Sequence, residues 1–197
     1  SLTHGVGVLF ALAALVLSVV LAALNRDVRL IVACSVYGAG MVFLYSASFL
    51  YHTVRRPSLK RLFLTLDHAA IYLMIAGTYT PFVLGPLRGP LGWTLFGVIW
   101  ALALAGVVKE FLHTRRGGLV SSLIYLGMGW LCLVAVYPLF LKLSVSGFVL
   151  LFAGGLVYSV GVVFYLKKDM RFHHAVWHCF VLGGSLCQFL AVLTLLV

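Results

Sequence analysis

Seven long apolar runs set the limits on how this chain can fold. Each is close to the roughly 20 residues that an α-helix needs to cross a bilayer. The runs cover about Gly5–Leu24, Val28–Val54, Leu62–Leu84, Leu91–Val108, Leu119–Leu141, Val145–Leu166 and Phe172–Val197. Membrane β-barrels have short strands of alternating polarity, whereas these runs are continuous. The pattern therefore predicts an all-α membrane protein, a seven-transmembrane helix bundle.

The composition excludes a soluble domain of this length. Of the 197 residues, 63% are hydrophobic and only 9% are charged, and the mean hydropathy is +1.15. The connections are short, so we expect a single domain over residues 1–197. The first run lacks a basic segment before it and a small-residue cleavage site, so we interpret it as a retained helix. The cysteines lie inside apolar runs without CxxC spacing, which predicts core residues and no disulfide framework.

Basic residues predict the orientation of the bundle. The second, fourth and sixth connections carry ten lysines and arginines, and the other three connections carry four. By the positive-inside rule, the ten lie in the cytoplasm, so the N-terminus is cytoplasmic and the C-terminus is outside. The net charge of +10 then reflects topology and contact with lipid headgroups, and nucleic-acid binding is not expected.

Ionisable residues of three runs are predicted to lie at one depth. His52 ends the second run, Asp67 lies early in the third, and His174 and His178 lie early in the last. Counted from the nearest basic residue at about 1.5 Å per residue, they lie roughly 5–10 Å below the cytoplasmic boundary. Ser48 and His52 are four residues apart, as are His174 and His178, so each pair shares a helix face.

Taken singly, these residues have simpler explanations. The helix dipole favours a histidine such as His52 at a C-terminus and an aspartate such as Asp67 in a first turn. His173 and His174 could be interfacial residues beside the basic sixth connection. Several ionisable groups at one depth nevertheless favour a shared metal site, because such groups within membrane spans usually face the bundle interior and are functional. Spacing alone does not show that they face one another.

The residue types suit a zinc site. Three imidazoles, from His52, His174 and His178, with an open fourth position fit Zn²⁺ and a bound water, whose pKa the metal lowers to about 7. Asp67 would hold or deprotonate that water as general base, and Ser48 would donate a hydrogen bond to the ligand shell or to a developing oxyanion. Alternatively, Asp67 is a direct fourth ligand, which would close the site and make it structural.

The remaining histidines are weaker candidates. His4 and His113 are predicted to be interfacial residues. His68 and His173 neighbour the candidate residues but point about 100° away on a helix, which makes them second choices.

Motifs around these residues resemble the hemolysin III family. The matching pieces are Ser48-x3-His52, Asp67-His68, Ala76–Phe82, His174-x3-His178, Leu2–Gly5, Gly127–Trp130, Gly154–Tyr158 and Trp177–Val181. That family groups with the progestin and adipoQ receptors, in a superfamily that includes alkaline ceramidases. The resemblance implies a cytoplasmic-side zinc held by His52, His174 and His178, with Ser48 and Asp67 near its water. It also implies a multi-pass protein of the bacterial inner membrane.

The resemblance leaves three functions open. The first is zinc-dependent hydrolysis of a lipid amide or ester, with a membrane lipid as substrate and a link to membrane-lipid homeostasis. The second is a non-enzymatic sensor or homeostasis factor with structural zinc. The third is a cytolysin, as the family name implies; a pore would then require an oligomer, because one chain supplies only seven spans.

Overall fold

The computed structural model describes residues 2–112 and 118–197, and these ranges are helical with short connections. The helices are α1 (Leu2–Leu24), α2 (Val28–Thr53), α3 (Pro57–Leu84), α4 (Pro90–Leu112), α5 (Leu119–Trp130), α6 (Val136–Lys142), α7 (Val145–Leu166) and α8 (His173–Leu193). No β-strand occurs in the described ranges. Seven helical segments there, with α5 and α6 forming one, are long and apolar enough to span a membrane. The predicted all-α class is confirmed, while the orientation of the termini stays a prediction.

Two spans extend past the charged residues that bounded their predicted apolar runs. Helix α3 begins at Pro57 and not at Leu62, because proline fits the first helical turn, where no intrahelical N–H bond is lost. Helix α4 continues past Val108 to Leu112 and so includes Lys109. Charged residues ended the predicted runs, but they do not end the helices. His113, Arg115 and Arg116 of the fourth connection lie outside the described residues.

The chain divides into two compact units, residues 1–117 and 118–197. In the first unit, α2 packs against α1 and α3, and α3 also packs against α4. Its core includes the fully buried rings of Tyr37, Tyr45 and Tyr72. His4, predicted at the membrane interface, is only 4% exposed, and its ring meets that of Tyr45 edge to face with centroids 5.3 Å apart. Asp27 caps α2, since its Oδ1 accepts from the backbone N–H of Arg29 at 2.9 Å.

In the second unit, α7 packs closely along α8. Gly184 permits this approach, since a Cβ there would lie 2.8 Å from the ring of Tyr158. The Tyr158 and Ser185 hydroxyls are hydrogen-bonded at 2.8 Å. The contact therefore combines a polar bond with small-residue packing, as is typical of helix pairs in membranes.

The fifth span is interrupted before its proline. Helix α5 ends at Trp130, residues Leu131–Ala135 form a 3-10 turn, and α6 follows with Pro138 inside it. Proline cannot donate an N–H and its ring displaces the carbonyl four residues earlier, so regular α-helix is disfavoured just upstream of it. The fifth span is therefore broken by a 3-10 turn that ends three residues before Pro138.

Candidate metal centre

The first residues of α8 place two imidazoles side by side. Phe172, with a left-handed φ of 64°, precedes the helix, which begins at His173. His174 and His178 are one helical turn apart, and their Nε2 atoms lie 3.0 Å from each other. His178 is only 2% exposed, whereas His174 is half-buried. Two ring nitrogens this close either share a proton or converge on a common cation.

Helices α2 and α3 bring a hydroxyl to a carboxyl group. The buried Ser48 on α2 forms a side-chain hydrogen bond with the half-buried Asp67 on α3. The hydroxyl donates to the ionised carboxylate, which has no proton to give. His52 lies one turn beyond Ser48 on α2 and is half-buried. A carboxylate held in this way can accept a proton from a neighbouring water.

Three of the predicted site residues could hold a metal ion. His52, His174 and His178 each offer one ring nitrogen, and among residues 2–112 and 118–197 these atoms lie within 4.8 Å of one another. Two nitrogens bound to a tetrahedral Zn²⁺ at about 2.0–2.1 Å lie about 3.3 Å apart. The spacing of the α8 pair is close to that value, so the donor set fits a metal without rearrangement of that helix.

The second-choice histidines are not members of this group. The Nδ1 atom of His68 lies 3.0 Å from the carbonyl oxygen of Leu64, one turn earlier in α3, so this nitrogen donates to the backbone. The ring of His173 is 6.2 Å from that of His174, centroid to centroid, at an interplanar angle of 70°. The four cysteines form no disulfide with one another, and none belongs to the group.

Sequence reasoning overlooked two buried polar residues. Glu110 near the end of α4 is 1% exposed, and its carboxylate pairs with Lys109 Nζ at 3.0 Å. It is one of only four acidic residues in the chain. Considering the position of each acidic residue would therefore have identified Glu110 as a candidate buried charge. Gln188 in α8 is 6% exposed. A glutamine deep in an apolar run was the corresponding signal.

Known proteins resemble this chain over most of its length. A family model described as "Haemolysin-III related" matches residues 1–189, which include all five candidate site residues. The "Hemolysin-3 homolog" of Bacillus subtilis (strain 168) is 48% identical over 193 residues, which cover 98% of this chain and 91% of that protein. "Hemolysin-3" of Bacillus cereus is likewise 48% identical and covered over 88% of its length.

A more distant relative comes from animals. The human "Monocyte to macrophage differentiation factor" is 31% identical over 168 residues, which cover 80% of this chain and 67% of that protein. No solved structure matches the chain significantly. The resemblance indicated by the motifs is therefore confirmed, and the chain belongs to the Haemolysin-III-related family of membrane proteins.

Proposed function

We propose that this chain is a zinc-dependent hydrolase that cleaves an amide or ester bond of a membrane lipid. The observation that carries the proposal is the trio of imidazole nitrogens from His52, His174 and His178 within 4.8 Å of one another. Imidazole nitrogens that converge in this way form a donor set that suits a transition-metal cation.

The ligand set favours zinc over harder ions. Imidazole suits zinc and other transition metals, whereas magnesium and calcium prefer oxygen ligands. Three protein ligands with an open position are typical of catalytic zinc, and four of structural zinc. Asp67 is not in the metal-competent group, which supports an open fourth position over the alternative in which Asp67 is a ligand. A bound Zn²⁺ would supply Lewis acidity toward a carbonyl group.

Asp67 is the proposed general base, and Ser48 is the proposed positioning residue. The hydrogen bond from the buried Ser48 hydroxyl fixes the Asp67 carboxylate on α3. Since that proton is directed at the carboxylate, it is not available at the same time to a developing oxyanion. Of the two roles predicted for Ser48, its hydrogen bond therefore supports the one in which it organises its polar neighbours.

The proton balance of the reaction can be followed at Asp67. Its carboxylate takes one proton from the attacking water as the water oxygen bonds to the lipid carbonyl carbon. Asp67 then delivers that proton to the leaving nitrogen or oxygen as the C–N or C–O bond breaks. The products are a carboxylic acid and an amine or an alcohol, and the Asp67 carboxylate is restored.

Elemental analysis combined with a lipid assay tests the proposal. Purified wild-type protein is expected to contain one zinc per chain, and His52→Ala and His178→Ala are expected to lose it. Bacterial lipid extracts incubated with the wild type should release carboxylic acids that mass spectrometry detects, and the two variants should release none. A wild type that retains no metal after mild purification, or releases no acid with metal bound, contradicts the proposal.

A non-enzymatic role is the second candidate, and the names of the bacterial relatives favour it. Two relatives at 48% identity are named as hemolysins, which points to an action on membranes that needs no bond cleavage. In that case, metal removal lowers thermal stability while no lipid is consumed. Leakage of dye from vesicles that contain the protein, without released acid, would favour this role.

Location and orientation form part of the same proposal. We place the protein in the bacterial inner membrane with its N-terminus in the cytoplasm, supported by the excess of basic residues in the even-numbered connections. A periplasm-dependent phosphatase fused after Val197 should be active, and the same enzyme fused before Ser1 should be inactive. The reverse pattern would invert the proposed topology.

A further inference from the structure

One side of α8 carries polar residues well beyond the imidazole pair. With 100° per residue, His178, Ser185, His174 and Gln188 lie within an arc of about 80°. His178, Ser185 and Gln188 are 2%, 0% and 6% exposed. Gln188 lies ten residues after His178, about 15 Å along the helix axis. The face that offers ligands for a metal therefore also presents an amide much deeper in the membrane.

The amide of Gln188 is held in one orientation by α7. Its Nε2 donates to the carbonyl oxygen of Leu151 at 2.9 Å. Rotating the amide by 180° would oppose two acceptor oxygens, so Oε1 is the atom that points away from Leu151. Gly154 provides the space, because a Cβ there would lie only 2.7 Å from Gln188 Nε2. The glycine and the carbonyl together form a cradle for this side chain.

The carbonyl oxygen of the same amide, Oε1, accepts no hydrogen bond within the described residues. Oε1 of Gln188 is buried, and no donor from residues 2–112 or 118–197 hydrogen-bonds to it. An amide oxygen left unsatisfied in an apolar environment costs on the order of 1–3 kcal/mol. The Tyr158 hydroxyl of α7 is hydrogen-bonded to Ser185, with the two oxygens 2.8 Å apart, and not to this oxygen. The cradle thus holds Gln188 Oε1 in a fixed orientation, and this oxygen accepts no hydrogen bond from the described residues.

We propose that Gln188 Oε1 accepts a hydrogen bond from an uncharged O–H or N–H group on the chain of a bound lipid. The inference rests on the proposed function in taking the ligand to be a lipid. It makes Gln188 a specificity residue, which selects lipids with a hydrogen-bond donor partway along the acyl chain over lipids with unsubstituted chains.

The two helices that hold Gln188 offer no counter-ion to a charged ligand group. Neither α7 nor α8 carries an acidic or basic side chain between Val145 and Leu166 or between His173 and Leu193, apart from the histidines at the start of α8. A cation would find no counter-ion there and would lose its hydration. A hydroxyl or amide group loses far less hydration free energy and donates the hydrogen bond that Oε1 lacks. Gln188 therefore distinguishes lipids by whether their chain carries a hydrogen-bond donor.

Binding of hydroxylated fatty acids tests the proposal directly. The probes are octadecanoic acid and a positional series of monohydroxyoctadecanoic acids, which correspond to products of the proposed hydrolysis. Competition against radiolabelled octadecanoic acid on the purified full chain in detergent gives the affinities. We expect one group of neighbouring positional isomers to bind about fivefold more tightly than the plain acid, as one neutral hydrogen bond allows.

Variants locate that preference at Gln188. Gln188→Met keeps the side-chain volume but removes the acceptor, and it should abolish the preference while the plain acid binds as before. Gly154→Ala should act in the same direction by displacing the amide. Its matched control is Gly155→Ala, where the new Cβ would lie 3.5 Å from the Trp130 ring, an ordinary contact, and the preference should persist. If Gln188→Met does not fold, Gly154→Ala carries the test.

The outcomes separate this inference from the proposed reaction. No preferred isomer in the wild type, as expected if a water satisfies Oε1, overturns the inference, and so does a preference that survives Gln188→Met. The probes are products and not substrates of the proposed reaction, so their binding does not depend on turnover. A Gln188-dependent preference in a protein without hydrolase activity supports this inference while the reaction fails. Hydrolase activity without any preference leaves the reaction standing and refutes the role of Gln188.

Discussion

The two parts of the chain that carry candidate site residues are built in different ways. In α8, the imidazoles of His174 and His178 come from one helix, whose pitch brings the two side chains together, and their Nε2 atoms lie 3.0 Å apart. In the α2–α3 pair, the Ser48–Asp67 hydrogen bond joins two helices and depends on how they pack. The first arrangement is local and could be read from spacing, whereas the second requires tertiary structure.

The two parts also differ in chemistry. The start of α8 offers imidazole nitrogens and no carboxylate, so it is suited to binding a metal. The α2–α3 pair offers a carboxylate with a hydroxyl partner, which is suited to moving a proton. If this division of labour is correct, substitution of His174 or His178 should abolish metal binding, as should substitution of His52 on α2, whereas substitutions at Ser48 and Asp67 should leave the metal in place and slow turnover.

The largest effect is expected for His178→Ala. This imidazole is buried and belongs to the metal-competent trio, so its loss removes a ligand and leaves a cavity. Zinc affinity should fall by more than the roughly 10–100-fold typical of residues that only support ligands. The measurement is zinc content after dialysis against a competing chelator. Chelation should lower the melting temperature of the wild type but not of the variant. His173→Ala is the matched control and should retain zinc.

Asp67→Asn should produce the next largest effect, on rate alone. Asparagine keeps the shape but cannot accept the proton of water, so turnover should fall by about 10²–10⁴-fold with zinc content unchanged. Initial rates of acid release at saturating lipid, with elemental analysis of the same sample, provide the check. Loss of zinc in this variant would show that Asp67 is a ligand and that the site is closed and structural.

Ser48→Ala should be milder than Asp67→Asn because the carboxylate remains and only its orientation is lost. We expect turnover about 10-fold lower and zinc content unchanged, the size of effect that loss of a supporting hydrogen bond has near a metal. Ser46→Ala is a suitable control, since residue 46 lies about 160° around α2 from Ser48. A Ser48→Ala enzyme as fast as the wild type would remove the positioning role.

The parts that could be predicted from the sequence are those set by local patterns. Hydropathy identified the seven spans, and i, i+4 spacing identified the His174–His178 pair. Grouping His52 with them as residues that could hold an ion needed a further argument, the shared depth below one boundary. The metal itself and the catalytic roles stay predictions.

The parts that were missed depend on contacts between helices. The burial of Glu110 and the cradle around Gln188 arise where α4 and α8 meet their neighbours, and periodicity within one run does not report them. The 3-10 break at Leu131–Ala135 lies upstream of Pro138, because proline disturbs the carbonyl of the preceding turn and not its own position. The predicted bounds of α3 and α4 were too short because each apolar run was ended at a charged residue. Long basic side chains can extend to the membrane interface while the helix continues.

The smallest effect on turnover is expected for His68→Ala. This variant tests whether Asp67 is the only residue of α3 that takes part in proton transfer. His68 directly follows Asp67, but helical rotation turns it about 100° away, and its Nδ1 atom donates to the Leu64 carbonyl 3.0 Å away. Removing one such hydrogen bond costs about 1 kcal/mol of stability, so the melting temperature should fall slightly, with zinc content and turnover close to wild type. Parallel melting curves and rate measurements on His68→Ala and Asp67→Asn provide the test. A His68→Ala variant as slow as Asp67→Asn would mean that proton transfer runs through both side chains, and the assignment of a single base in α3 would then be wrong.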